Sequence, residues 1–165
     1  MKADLDEEFR AFMHARWPAM IRLAYALTGD RGHAEEVAQT AFAKAYMAWP
    51  RVIRAGNPDA YVRQIVVNED RNRFRKRRVR EFSTDSPPDT PVPGTDLDSR
   101  TTLIDALKVL GPRQRAVVVL RYWLDLTETE TAAMLNCSVG TVRSQASRAL
   151  ATLRQHIELA EGELR

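Results

Sequence analysis

Residues 126–144 read LTETETAAMLNCSVGTVRS, and the fold of the chain turns on how this stretch divides. Thr127 and Glu130 open a run of helical spacing as a capping box, in which the threonine hydroxyl and the glutamate satisfy each other's backbone donors at a helix start. A helix is predicted from Thr127 to Leu135, broken at Asn136-Cys137. A second begins at Ser138, a good cap, and runs to about Glu158. Ala132 stands where two helices that cross closely need a small side chain. Two helices joined by about three residues fit a helix-turn-helix. In the second helix Val139, Val142, Ala146 and Leu150 form the stripe expected to be buried, leaving Thr141, Arg143, Ser144, Ser147 and Arg148 outward. The N-terminal part of a recognition helix enters the major groove, where arginine can bond guanine bidentately and hydroxyls can serve bases or phosphates. An ordinary helical hairpin with a polar face has the same spacing, so this stretch alone leaves both readings open.

Upstream, helices are predicted over Ser99 to Leu110 and Pro112 to Leu124, with Gly111-Pro112 and Asp125-Leu126 as breaks. The run Ala116 to Leu120 is rich in valine and could suit a strand. Pro112 before it and Arg121-Tyr122-Trp123 after it favour helix. Residues 83–99 hold four prolines, Gly94, serines, threonines and acids, with Val92 and Leu97 as the large aliphatics. Such a segment reads as an extended, semi-stiff linker.

The N-terminal part is again helical. Apolar residues recur at helical spacing from Leu5 to Leu27, with a restart expected at Pro18. Thr28 to Gly32 is a turn, a second helix runs from about His33 to Trp49, and Pro50 closes it. Asn57-Pro58-Asp59 opens a third, with Asn57 as cap and proline in the first turn. It can continue to about Arg80, with Tyr61, Val62, Ile65 and Val66 facing a core and Arg63, Val67, Arg71, Arg75 and Arg78 as a second stripe. The fold class is therefore all-α: two small helical domains, residues 1–80 and 101–165, joined by an extended, proline-rich acidic linker over 81–100.

The net charge of +3 conceals a strong asymmetry. Residues 61–80 carry 8 basic against 2 acidic side chains, and residues 81–100 carry 1 against 5. A concentrated basic block suggests a polyanion site, although a solvated basic face has the same composition. The lone Cys137 cannot form an internal disulfide, and no apolar run suits a signal peptide or a membrane span, so a cytoplasmic protein without membrane insertion is expected. His14, His33, His156 and Cys137 lack metal-ligand spacing, and Gly29-Asp30-Arg31-Gly32 is no phosphate loop. Catalysis, cofactor and metal are therefore not expected.

Residues 126–144, with the lead-in Leu110-Gly111-Pro112-Arg113-Gln114-Arg115, resemble the region 4 helix-turn-helix of extracytoplasmic-function sigma factors. The first half resembles region 2 of the same family: Leu27-Thr28-Gly29-Asp30, His33 to Gln39 and Ala41-Phe42 look like the part that docks on the polymerase clamp. Ala60-Tyr61-Val62-Arg63, Val67-Asn68 and the run Arg73 to Arg78 look like its promoter-melting part. The two blocks cover nearly the whole chain in the family's order, with its linker length, and resemble the SigE-like subgroup of high-GC bacteria. Thr40 stands where the family commonly has an acid, and Thr131 where it has an aliphatic residue.

The resemblance implies a sigma factor that binds core RNA polymerase, at its clamp and flap, and directs promoter-specific initiation without covalent chemistry of its own. It assigns Asp30, Glu35, Glu36 and Gln39 to the polymerase. Thr141, Arg143, Ser144, Ser147 and Arg148 fall to the minus-thirty-five element, and Arg63, Asn68, Arg71, Asn72 and Arg75 to the minus-ten element, with Asn68 near an extruded base. The loop Arg51 to Asn57 becomes the wall of that base's pocket, and the acidic linker threads a polymerase channel. Promoter DNA is the second partner, and an anti-sigma factor is a further partner that the resemblance allows. The rival reading is a stand-alone helix-turn-helix transcriptional regulator with residues 1–80 as a sensor or dimerisation domain.

Overall fold

The computed structural model describes residues 1–83 and 99–163, and every regular element among them is helical. The chain divides into two compact units, Met1–Ser86 and Pro87–Arg165. The linker expected over residues 83–99 lies almost wholly outside the described residues, as does the side chain of Arg78.

The first unit begins with α1, Lys2–Thr28, which runs unbroken through Pro18 rather than restarting there. A proline inside a helix leaves the carbonyl four residues earlier without its donor. His14 and Pro18 are both exposed, so water can take that carbonyl and the helix tolerates the loss. Gly29 ends α1 in the left-handed conformation (φ 71°), its N–H bonded to the Tyr25 carbonyl at 2.8 Å. Glycine reaches this conformation without a Cβ penalty. Asp30 then caps α2, Arg31–Met47, so the predicted turn is shorter than Thr28 to Gly32 and the helix begins earlier. Pro50 does not close α2. It lies in the first turn of a separate short helix, α3, Trp49–Arg54, where a missing N–H costs nothing. The loop expected over Arg51 to Asn57 thus shrinks to residues 55–57.

Asn57 caps α4, Pro58–Ser83, as expected: its Oδ1 accepts the Ala60 N–H at 3.1 Å. Because α4 packs against both α1 and α2, its buried face is broader than one stripe. Val62, Val66 and Val67 are all buried, as is the carboxylate-bearing Asp70. Val67 therefore belongs to the core and not to the basic stripe. Phe42, 2 % exposed, sits among aromatic neighbours: its ring centroid lies 6.4 Å from Phe9, 6.2 Å from Phe12 and 5.7 Å from Trp17. Arg16 and Asp59, whose Nε and Oδ1 are 2.5 Å apart, tie α1 to the start of α4.

The second unit comprises α5, Ser99–Leu107; α6, Pro112–Val118; a π turn, Val119–Trp123; α7, Glu128–Leu135; and α8, Val139–Glu163. The valine run is thus helical up to Val118 and then widens: the Leu124 N–H reaches back to the Val119 carbonyl at 3.0 Å. Arg115 on α6 donates to the Leu107 and Leu110 carbonyls, each at 3.1 Å, and so caps the end of α5. Thr127 Oγ1 accepts the Glu130 N–H at 3.0 Å, which is the threonine half of the capping box. Asn136 ends α7 in the left-handed region (φ 53°), and Ser138 Oγ accepts the Thr141 N–H at 3.0 Å to start α8.

Val117, Ala132, Val142 and Ala146 form the core of this hairpin, with Leu135, Cys137 and Val139 packed against it. The buried stripe of α8 continues through Ala149, and Leu150, expected in it, is 39 % exposed. An ideal helix drifts by only about 20° over seven residues, so Ala149 stays on the face of Val142 while the next residue, Leu150, swings away from it. Thr131 is fully buried, and its hydroxyl has no hydrogen-bond partner among the described residues. A buried unpaired hydroxyl costs about 1–3 kcal/mol. Thr131→Val, of similar shape and helix propensity, is expected to stabilise the second unit by about 1 kcal/mol. A raised denaturation midpoint checks this, and a lowered one would show that the hydroxyl is satisfied.

Candidate nucleic-acid and polymerase interfaces

The candidate recognition surface lies on the first three turns of α8. Arg143, Ser144, Ser147 and Arg148 are exposed, as the pattern predicts. Thr141 differs: it is half-buried, and its hydroxyl is 2.9 Å from that of Ser138, within the cap. Ser144 Oγ is turned to the Thr141 carbonyl at 3.2 Å. The Arg143 Nε donates to Glu128 Oε2 at 2.8 Å, so the arginine is held by the first residue of the preceding helix. Sequence reading does not anticipate this pair, because fifteen residues and a turn separate its members.

A basic surface forms the outer half of α4. Asn68, Arg71, Asn72 and Arg75 are exposed and recur at spacings of three and four, which puts them on one face. The Asn68 side-chain oxygen accepts from Gln64 Nε2 at 3.0 Å, one turn earlier. Arg63 is placed differently from the other four. It is half-buried, and its Nε lies 3.1 Å from Asp59 Oδ2, off the hydrogen-bond direction, so the contact is an ion pair. Asp59 thereby joins Arg16 and Arg63, a structural triad at the opposite end of the helix from Arg75. Arg73 is also turned inward, with Nη2 on His33 Nδ1. Phe74 is a residue that the sequence reading misses. It is 37 % exposed between Arg73 and Arg75, and an aromatic interleaved in a basic run is the signal that could have found it.

The acidic surface is on α2. Glu35, Glu36 and Gln39 are exposed, with Glu35 and Gln39 one turn apart on the same side. Asp30 stands apart from them in role. Its Oδ1 accepts the His33 N–H at 2.9 Å, and this bond holds its carboxyl below the ordinary carboxylate value, against a smaller opposing effect of burial. A charged cap at a helix N-terminus is the arrangement the helix dipole favours. Further along α2, Tyr46 donates to Asp6 Oδ1 at 2.7 Å, which pushes the phenol pKa up. Among the described residues no group of His, Cys, Asp and Glu could hold a metal ion, and no helix is long and apolar enough to cross a membrane.

These placements coincide with two family matches. Residues 13–80 match sigma-70 region 2, and residues 100–153 match sigma-70 region 4. The chain is 38% identical over 152 residues to the RNA polymerase sigma-E factor of Streptomyces coelicolor, covering 91% of this chain and 86% of that protein. It is 39% identical over 153 residues to the sigma-E factor of Streptomyces avermitilis, covering 92% and 86%. Among solved structures, the sigma factor RpoE in complex with the anti-sigma factor NepR from Bartonella quintana aligns with a TM-score of 0.71 at 25% identity, covering 92% of this chain and 98% of that one. Matched over both regions and alike along nearly its whole length to these sigma-E factors, the chain belongs to the sigma-70 family of RNA polymerase sigma factors, in its extracytoplasmic-function branch.

Proposed function

We propose that this chain binds core RNA polymerase and directs it to specific promoters, acting in the cytoplasm and carrying out no covalent chemistry itself. The observation that carries this reading is the pairing of an acidic exposed face on α2 with two separate DNA-suited surfaces, the outer half of α4 and the exposed face of α8. A stand-alone regulator has no use for the first two.

Glu35, Glu36 and Gln39 meet the clamp. Asp30 contributes to that contact chiefly by fixing the start of the helix that carries them. Arg71 and Arg75 bind phosphates of the melted strand, Asn68 and Asn72 lie near an extruded base, and Phe74 offers a ring for stacking. Extrusion costs a few kcal/mol, which stacking and phosphate contacts offset. Arg63 acts indirectly, by holding the start of α4 through Asp59. On α8, Arg143, Ser144, Ser147 and Arg148 read the minus-thirty-five element, and Thr141 fixes the start of that helix. The Bartonella relative was solved with an anti-sigma factor bound, and a partner of that kind fits this chain too.

Run-off transcription with purified core polymerase and a pooled genomic promoter library tests the reading. Initiation is expected only when this chain is added. Tight sequence-specific DNA binding by the chain alone, with no polymerase-dependent initiation, would favour the regulator.

A further inference from the structure

Glu128 is the first residue of α7, directly after the Thr127 cap, and its carboxylate reaches across the turn to Arg143 on α8. The two side chains differ in exposure, 33% for Glu128 and 69% for Arg143. The carboxylate is thus partly sheltered while most of the guanidinium faces solvent. An exposed pair of this kind adds little to stability, so its effect must be sought in what Arg143 can then bind.

We propose that Glu128 is a positioning residue for Arg143 and thereby sets the base preference of the recognition helix. The inference rests on the reading that Arg143 faces promoter DNA. A guanidinium presents its donors as a rigid planar fork. With Nε committed to Glu128, the end carrying Nη1 and Nη2 remains for an outside acceptor, and that end matches the O6 and N7 of guanine. The neighbouring hydroxyls reinforce this division: that of Thr141 is taken into the cap, and that of Ser144 gives its proton to the Thr141 carbonyl and keeps only an acceptor for DNA, so Arg143 is the donor of this turn.

Charge matters as well as direction. A phosphate approaching Arg143 also meets the Glu128 carboxylate, so the attraction that drives sequence-independent binding is weakened at this point. A guanine edge is uncharged and suffers far less from it. The pair therefore shifts Arg143 from phosphate towards base. It also immobilises a long side chain before DNA arrives, which removes part of the ordering cost of binding.

The test uses holoenzyme assembled from the full chain and core polymerase, competed against duplexes with a randomised minus-thirty-five element at several salt concentrations. Arg143→Ala should relax one base position by about five- to 150-fold. Glu128→Ala should relax the same position by about two- to tenfold, with a steeper loss of binding on added salt. Glu128→Gln retains an oxygen that can accept from Nε and should recover most of the base preference. If Glu128→Ala keeps the wild-type preference while Arg143→Ala loses it, the positioning role is overturned and the reading of α8 survives. If Arg143→Ala changes no base position, that reading fails and the proposal with it.

Discussion

Replacing Glu35 and Glu36 together by lysine is expected to abolish association with core polymerase while leaving the helical content of the chain unchanged. Both residues are exposed on α2, and lysine forms helix about as well as glutamate, so the fold has no reason to respond. The interface does. Two acids become two bases, and like charges brought together across a docking surface cost several kcal/mol, roughly a thousandfold in affinity. Co-purification of the variant with core enzyme measures the loss, and circular dichroism checks the fold. Retained co-purification would remove α2 as the docking helix, whatever the family matches say of the chain as a whole.

A second large effect is expected in the core of the first unit. Phe42 is almost fully buried and touches aromatic rings from three positions along α1. Phe42→Ala removes that side chain where α1 and α2 meet and leaves a cavity that rigid rings fill poorly. The cost is about 3–5 kcal/mol, a large part of the roughly 5–15 kcal/mol that holds a typical domain together. Hydrogen exchange under increasing urea reads the two units separately. Amides of α1, α2 and α4 should lose protection, while those of α6, α7 and α8 keep theirs. Equal loss in both would show that the chain unfolds as one block.

Much of this architecture is legible in the sequence because its punctuation is local. Asn57-Pro58, Thr127 to Glu130 and Ser138 each announce a helix start through a side chain that bonds a backbone donor within three residues, and each cap forms. Pattern misleads where the deciding partner is remote. Pro18 and Pro50 have opposite consequences from those expected, since solvent exposure in one case and a fresh helix start in the other decide what a proline does. Val67 falls at the spacing of the basic stripe, and periodicity cannot tell that α4 is flanked on two sides.

The same limit applies to the candidate surfaces. Exposure of Arg71, Asn72 and Arg75 follows from helical spacing alone. The commitment of Arg143 to Glu128, fifteen residues away, does not, whereas Arg63 with Asp59 one turn earlier and Asp30 as the α2 cap are local pairs that spacing could have announced. An arginine in a pattern is a donor waiting for an acceptor, and only the folded chain says whether one has already been supplied from within.

Arg115 carries a consequence for the order in which the second unit assembles. The carbonyls of Leu107 and Leu110 are capped by a guanidinium that belongs to α6. Until α6 has folded, those two carbonyls lack the guanidinium, and the end of α5 is held by the short three-residue bonds from the Lys108, Val109 and Leu110 N–H groups to the Asp105, Ala106 and Leu107 carbonyls, a poorer geometry than the α-helical one. The cap on α5 is thus supplied from α6, so a nascent chain firms the end of α5 once the residues through Arg115 have emerged and coiled.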